Sequence, residues 1–157
     1  MKFKENKSGM DEELYNLFID LIQLELNKMA LIASGKYYFE KTGLALYKDF
    51  MCKLKCCCAK FKESIESYLV ERDVEIPEFT IPAIKVNFES KETPFEELVK
   101  LEEECCKVLY DVVKKADEVT DFCAFGFAMD LWRNFKHIAE KALGAVNNNQ
   151  DPNLILL

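Results

Sequence analysis

Glycine and proline are scarce, at five and four residues in a chain of 157. The chain therefore has few breaks, and the few it has punctuate it sharply. An excess of positive charge is also missing. Lysine and arginine number 21 against 28 aspartates and glutamates, a net charge of −7 with the acidic excess in residues 73–157. This argues against a nucleic-acid binder, which would carry a basic stripe. Long apolar runs are absent too: the longest, Phe122 to Met129, falls far short of the ~20 residues of a membrane span. Residues 1–14 are polar and charged, and no signal or transit peptide is expected there. Seven cysteines is an odd number, and six of them fall in two tight groups, Cys52, Cys56, Cys57, Cys58 and Cys105, Cys106. Adjacent cysteines on a helix point in different directions, so a secreted disulfide framework is not expected. A reduced, cytoplasmic protein is.

What is present is helical periodicity. Half the residues are hydrophobic and 31% are charged, the mix of a globular domain. Leu14, Phe18, Leu21, Met29 and Ile32 recur at helical spacing in a proline-free stretch ended by Thr42-Gly43. Tyr47, Phe50, Leu54, Phe61, Ile65 and Tyr68 repeat the pattern. Residues 74–92 hold two prolines and no helical period, which predicts an extended connection. Thr93-Pro94-Phe95-Glu96 reads as a helix start, with Thr93 as N-cap and Glu96 completing a capping box. Gly144 reads as the C-cap of the last helix.

These signals predict a single all-α domain over 1–157, with helices at about 11–40, 44–72, 94–117 and 121–143 and a tail at 145–157. Helices this long in so short a chain form a bundle. Short breaks make helices one and two antiparallel, and likewise three and four. The ~19-residue connection matches a run along the full bundle, because an extended chain covers ~3.3 Å per residue against 1.5 Å in a helix. Helices two and three then run parallel. A four-helix bundle with one long crossover is the ferritin-like topology.

Particular residues carry a family resemblance as well. Glu25-Leu26 and Tyr37-Tyr38-Phe39-Glu40-Lys41-Thr42-Gly43-Leu44 resemble the first ferritin helix and its turn. Ile81-Pro82-Ala83-Ile84 and Thr93-Pro94-Phe95-Glu96 resemble the crossover and third-helix start of bacterial-type, non-haem ferritins. The resemblance covers roughly residues 13–143. It implies iron as the cofactor, without haem, and self-association into a hollow cage of twenty-four subunits, with no nucleic-acid or membrane partner. It also implies a dinuclear oxidation site built from a Glu on helix one, Glu-x-x-His on helix two, Glu on helix three and Glu or Gln on helix four. Position by position, these fall on Glu25, on Cys57 and Lys60, on Cys105 and on Asp130. Accessory glutamates fall on Arg133 and Met129, and a helix-one tyrosine on Ile32.

Glu25 and Asp130 are thus the retained metal positions, while Cys57, Lys60, Cys105 and Arg133 replace ligands. Lysine and arginine offer no acceptor to a metal at neutral pH, and no Glu-x-x-His occurs in the chain. The resemblance is to a ferritin with a degenerate ferroxidase centre, an iron-storage subunit with little or no iron oxidation. Slow oxidation from Glu25 and Asp130 is the third reading. The second, of a different class, is a soft-metal or redox protein on the same scaffold. Its working thiols would be drawn from Cys52, Cys56, Cys57, Cys58 and Cys105.

Glu25 lies on the apolar stripe, where an unpaired carboxylate is costly. A Lys60–Glu25 ion pair, shared with Asp130, is the expected occupant of the vacated site. Glu102, Glu103 and Glu104 read as a solvated charge run, and His137 as an exposed or capping residue. The short fifth helix of the resembling proteins would begin about where this chain stops, so weaker four-fold contacts or wider channels are expected.

Overall fold

The computed structural model describes residues 9–156. The expectations for the segment before Gly9 and for the last residue lie outside these. The first helix, α1, runs Glu12–Thr42; Asp11 caps it by accepting the Leu14 N–H at 3.1 Å, and Gly43 ends it in the left-handed conformation at φ 76°. Helix α2 runs Ala45–Glu71 and α3 runs Thr93–Glu118. Thr93 is the first residue of α3 and not its cap, and its hydroxyl meets that of Ser90 at 3.0 Å.

The fourth helical segment is not continuous. Helix α4 covers Phe122–Asn134, residues 135–137 break it, and α5 covers Ile138–Asn147. Gly144 therefore sits inside α5 and caps nothing. The tail forms a short 3-10 turn, Pro152–Leu156, that folds back on α2: the Asn153 side chain donates to the Leu46 carbonyl at 2.9 Å and accepts from Lys53 at 3.2 Å. Among the described residues no helix is long and apolar enough to cross a membrane.

The crossover lies along α1 and is pinned at intervals. Tyr15 donates to the Glu75 carbonyl at 2.6 Å, Gln23 to that of Thr80 at 3.0 Å, and Lys41 to the Asn87 side chain at 3.1 Å. The Lys85 N–H donates to Ser34 Oγ at 2.9 Å. Positions 75 to 87 thus climb α1 from its start to its end. This delivers α3 to the end where α2 began, so the two run parallel. The architecture is the all-α, ferritin-like bundle with one long crossover.

The core stripe of α1 keeps a strict alternation of three and four: Leu14, Phe18, Leu21, Glu25, Lys28, Ile32, Gly35 and Phe39 are all buried. Six of the eight are apolar or glycine. Two carry opposite charges, at the middle of the helix. Correspondingly the core divides into two apolar clusters. One gathers Leu14, Phe18, Ile22, Ile65, Leu109 and Leu131; the other gathers Ile32, Phe50, Leu54, Phe95, Leu98 and Ala139. α1, α2 and α3 contribute to both clusters, whereas α4 packs in the first and α5 in the second, and the layer between the clusters holds the polar groups.

A lysine-filled polar layer as the candidate site

Glu25 is 1% exposed, and its Oε1 lies 2.8 Å from Lys28 Nζ, one turn along α1. Cys105 on α3 donates its thiol to the same Oε1 at 3.8 Å. Cys58 on α2, also buried, stands close enough to Glu25 and Lys28 to feel both charges. Burial pulls Lys28 toward neutrality, but the charge of Glu25 beside it outweighs this and holds the ammonium above its ordinary range. Burial drives both thiols the other way. Cys105 is pushed up to about 12 against the partial relief of Lys28, and Cys58 is raised further by the same cause. At neutral pH the layer is therefore an ammonium and a carboxylate flanked by two protonated thiols, and a thiol is a poor metal ligand until it ionises.

Glu102 closes the layer from α3. It is buried while Glu103 and Glu104 are exposed, so only the latter two behave as a solvated run. Its Oε2 accepts the Ala139 N–H at 3.0 Å, and the Glu140 N–H lies near enough to favour the ionised carboxylate. These are first-turn donors of α5, which lack partners within their own helix. Glu102 thus caps α5 from another helix, which explains how the fourth segment can break inside the bundle. His137, at the N-cap position, makes no side-chain cap and lies half-exposed with Nδ1 3.9 Å from Glu102 Oε1.

Burial raises the Glu102 carboxyl above its ordinary value of 4.5, and the α5 amides and Lys28 offset this in part. A group raised on folding binds more protons folded than unfolded, so its ionisation costs stability as the pH climbs. Relative to Glu102→Gln, the wild-type protein should therefore gain stability as the pH falls through the window just above 4.5. Denaturation midpoints of the two proteins at pH 4.5 and 7 check this. Parallel pH dependence would show that the Glu102 carboxyl is not buried as described.

The structure moves several of the sequence-based assignments. Cys57 and Lys60 are exposed and Cys58 takes the inward position. The buried sequence on α2 is Leu54, Cys58, Ile65 and Leu69 with Phe61 half-buried, so the register is one residue on from that inferred. The Lys60–Glu25 pair does not form: Lys28, from α1 itself, takes that place. Asp130 and Arg133, each 70% exposed, pair with each other at 3.5 Å and with no other charged group among the described residues. Cys105 is where it was expected, while Cys52 is half-buried and Cys56 exposed on α2. Lys28 and Glu102 were both missed. The signal was present in the unbroken spacing Leu21, Glu25, Lys28, Ile32 and in Leu98, Glu102, Cys105, Leu109.

The donor set does not suit iron. Hard ferric ion favours carboxylate and imidazole, yet the carboxylate oxygen nearest the centre already holds an ammonium. Among the described residues no three His, Cys, Asp or Glu side chains are grouped so as to hold a metal ion.

No family model matches the sequence, and no curated protein does. Solved structures do match in shape. A humanized archaeal ferritin superposes with a TM-score of 0.81 at 18% identity over 94% of this chain and 92% of that one. An open-pore ferritin from the archaeon Archaeoglobus fulgidus gives 0.81 at 16% identity over 95% and 94%, and M. penetrans ferritin gives 0.78 at 16% over 94% of each. Identities this low establish a class by shape alone. That class is the ferritin-like four-helix bundle.

Proposed function

We propose that this protein is a subunit of a ferritin-like cage that binds or stores iron without an oxidation centre inside its own bundle. The observation that carries the reading is the superposition of nearly the whole chain, crossover included, on ferritins. Related variants in that set were soaked in iron, which supports iron as the cargo. The Lys28–Glu25 pair supports the second half. A fixed internal cation neutralises the carboxylate that would otherwise attract Fe(II), so iron would be held at surfaces outside the bundle interior. The same superposition supports self-association, and a cytoplasmic site of action is consistent with it.

Aerobic addition of Fe(II) to the purified full chain tests the reading. Ferric absorbance should rise no faster than in the protein-free control, and iron should co-elute with a large oligomer on gel filtration. Fast, saturable oxidation would place a centre in the bundle. Monomers or dimers alone at micromolar concentration in light scattering would remove the cage.

A further inference from the structure

The break between α4 and α5 opens a cavity of about 370 Å³ that reaches from the polar layer to the surface, within the ~300–1,000 Å³ range of small-molecule sites. Its floor holds Glu25 and Lys28, its wall includes Phe61 and Phe135, and Lys60, Lys136 and Lys141 stand along it. Glu25 Oε2 is buried and has no hydrogen-bond partner. A carboxylate oxygen left so is expensive, and the other oxygen is already taken by Lys28 and Cys105.

Lys28 is the complement of that acceptor. An ammonium carries three N–H groups; Glu25 Oε1 takes one at 2.8 Å, and the Phe135 ring faces the ammonium with its centroid 5.7 Å from Nζ. The remaining donor and the empty Glu25 acceptor are together best satisfied by a group that accepts and donates at once, which among simple functional groups is a hydroxyl. The next stretch is aromatic: Phe61 and Phe135 meet edge to face at 6.2 Å between centroids, and such surfaces favour another ring. The three lysines are all exposed, and none forms an ion pair among the described residues. They call for an anion.

We propose that the cavity binds a small aromatic hydroxy-carboxylate, its hydroxyl on Glu25 and Lys28, its ring against Phe61 and Phe135, and its carboxylate among Lys60, Lys136 and Lys141. The order of polar floor, aromatic wall and cationic rim sets the orientation. This inference does not depend on the iron reading, because it concerns a different ligand and a different measurement.

Isothermal titration calorimetry of the full chain with 4-hydroxyphenylacetate is the test. Saturable binding of one molecule per chain is expected. Phenylacetate, which lacks the hydroxyl, and 4-(2-hydroxyethyl)phenol, which lacks the charge, should each bind at least ~tenfold more weakly. The double variant Lys60→Ala, Lys136→Ala should lose a similar factor while melting like the wild type, since both side chains are exposed. Any one of three results overturns the proposal: no saturable heat with the hydroxy acid up to millimolar concentration, equal affinity for phenylacetate, or undiminished binding by the lysine variant. Oε2 would then be served by water alone.

Discussion

Lys28→Met should destabilise the bundle by about 3–5 kcal/mol, the cost of leaving a buried charge without its partner. The substitution keeps the length of the side chain and most of its packing, so the loss isolates the ammonium. Glu25, at 1% exposure, pairs with no other cation among the described residues, so the substitution leaves it in the core without a counter-charge. Lys60→Met is the control; its side chain is exposed, and surface changes of this kind stay within about 0.5 kcal/mol. Removing both charges, Glu25→Leu with Lys28→Met, should recover most of the loss, because an apolar pair often replaces a buried ion pair without penalty. Urea denaturation of the four proteins decides the matter. If Lys28→Met were as mild as Lys60→Met, the ion pair would not be the occupant of the layer.

The second large effect is a gain. The family pattern of Glu-x-x-His, placed in the register that α2 adopts, falls on Cys58 and Phe61 and not on Cys57 and Lys60. A protein carrying Lys28→Gln, Cys58→Glu and Phe61→His should therefore acquire a divalent-metal site with Glu25. Without metal it should be less stable than wild type, since two carboxylates then face each other in the core. Added cobalt(II) or zinc(II) should raise its melting temperature, with about 2.7 kcal/mol of stabilisation at a hundredfold excess over Kd. The same addition should leave the wild type unmoved. The parallel variant Cys57→Glu, Lys60→His, which retains Lys28, should not respond either. A metal-dependent rise in that variant would restore the register first inferred from sequence.

The comparison of these two registers shows what the sequence could and could not reveal. The helices of α1, α2 and α3 were legible because apolar spacing, scarce prolines and the Gly43 turn all agree. The crossover was legible from its length and prolines. The inward position on α2 was not, because Cys57 and Cys58 are alternative continuations of the stripe from Leu54, at three and four residues, and both are thiols. Lys28 was hidden by its chemistry: a charged residue at a core position is discounted when only apolar residues are counted. The break at 135–137 had no local sign at all, with no glycine or proline in Asn134-Phe135-Lys136-His137. It is made by a side chain 35 residues or so upstream, Glu102, whose Oε2 accepts the Ala139 amide of a new helix start. Tertiary partners of this kind leave no trace in a local window.

That borrowed cap has a dynamic consequence. A continuous helix would tie α5 to α4 through an unbroken ladder of backbone bonds, whereas here the ladder stops at Asn134 and resumes at Ile138. Local opening of α5 and the Pro152–Leu156 turn would therefore not require α4 to unwind. Such an opening would sever the Ala139 bond to Glu102 and widen the existing passage to Glu25 and Lys28 in a single event. Such partial openings cost less than global unfolding. In deuterium oxide the amides of Ala142 and Val146 should then exchange well before those of Leu21 and Leu109.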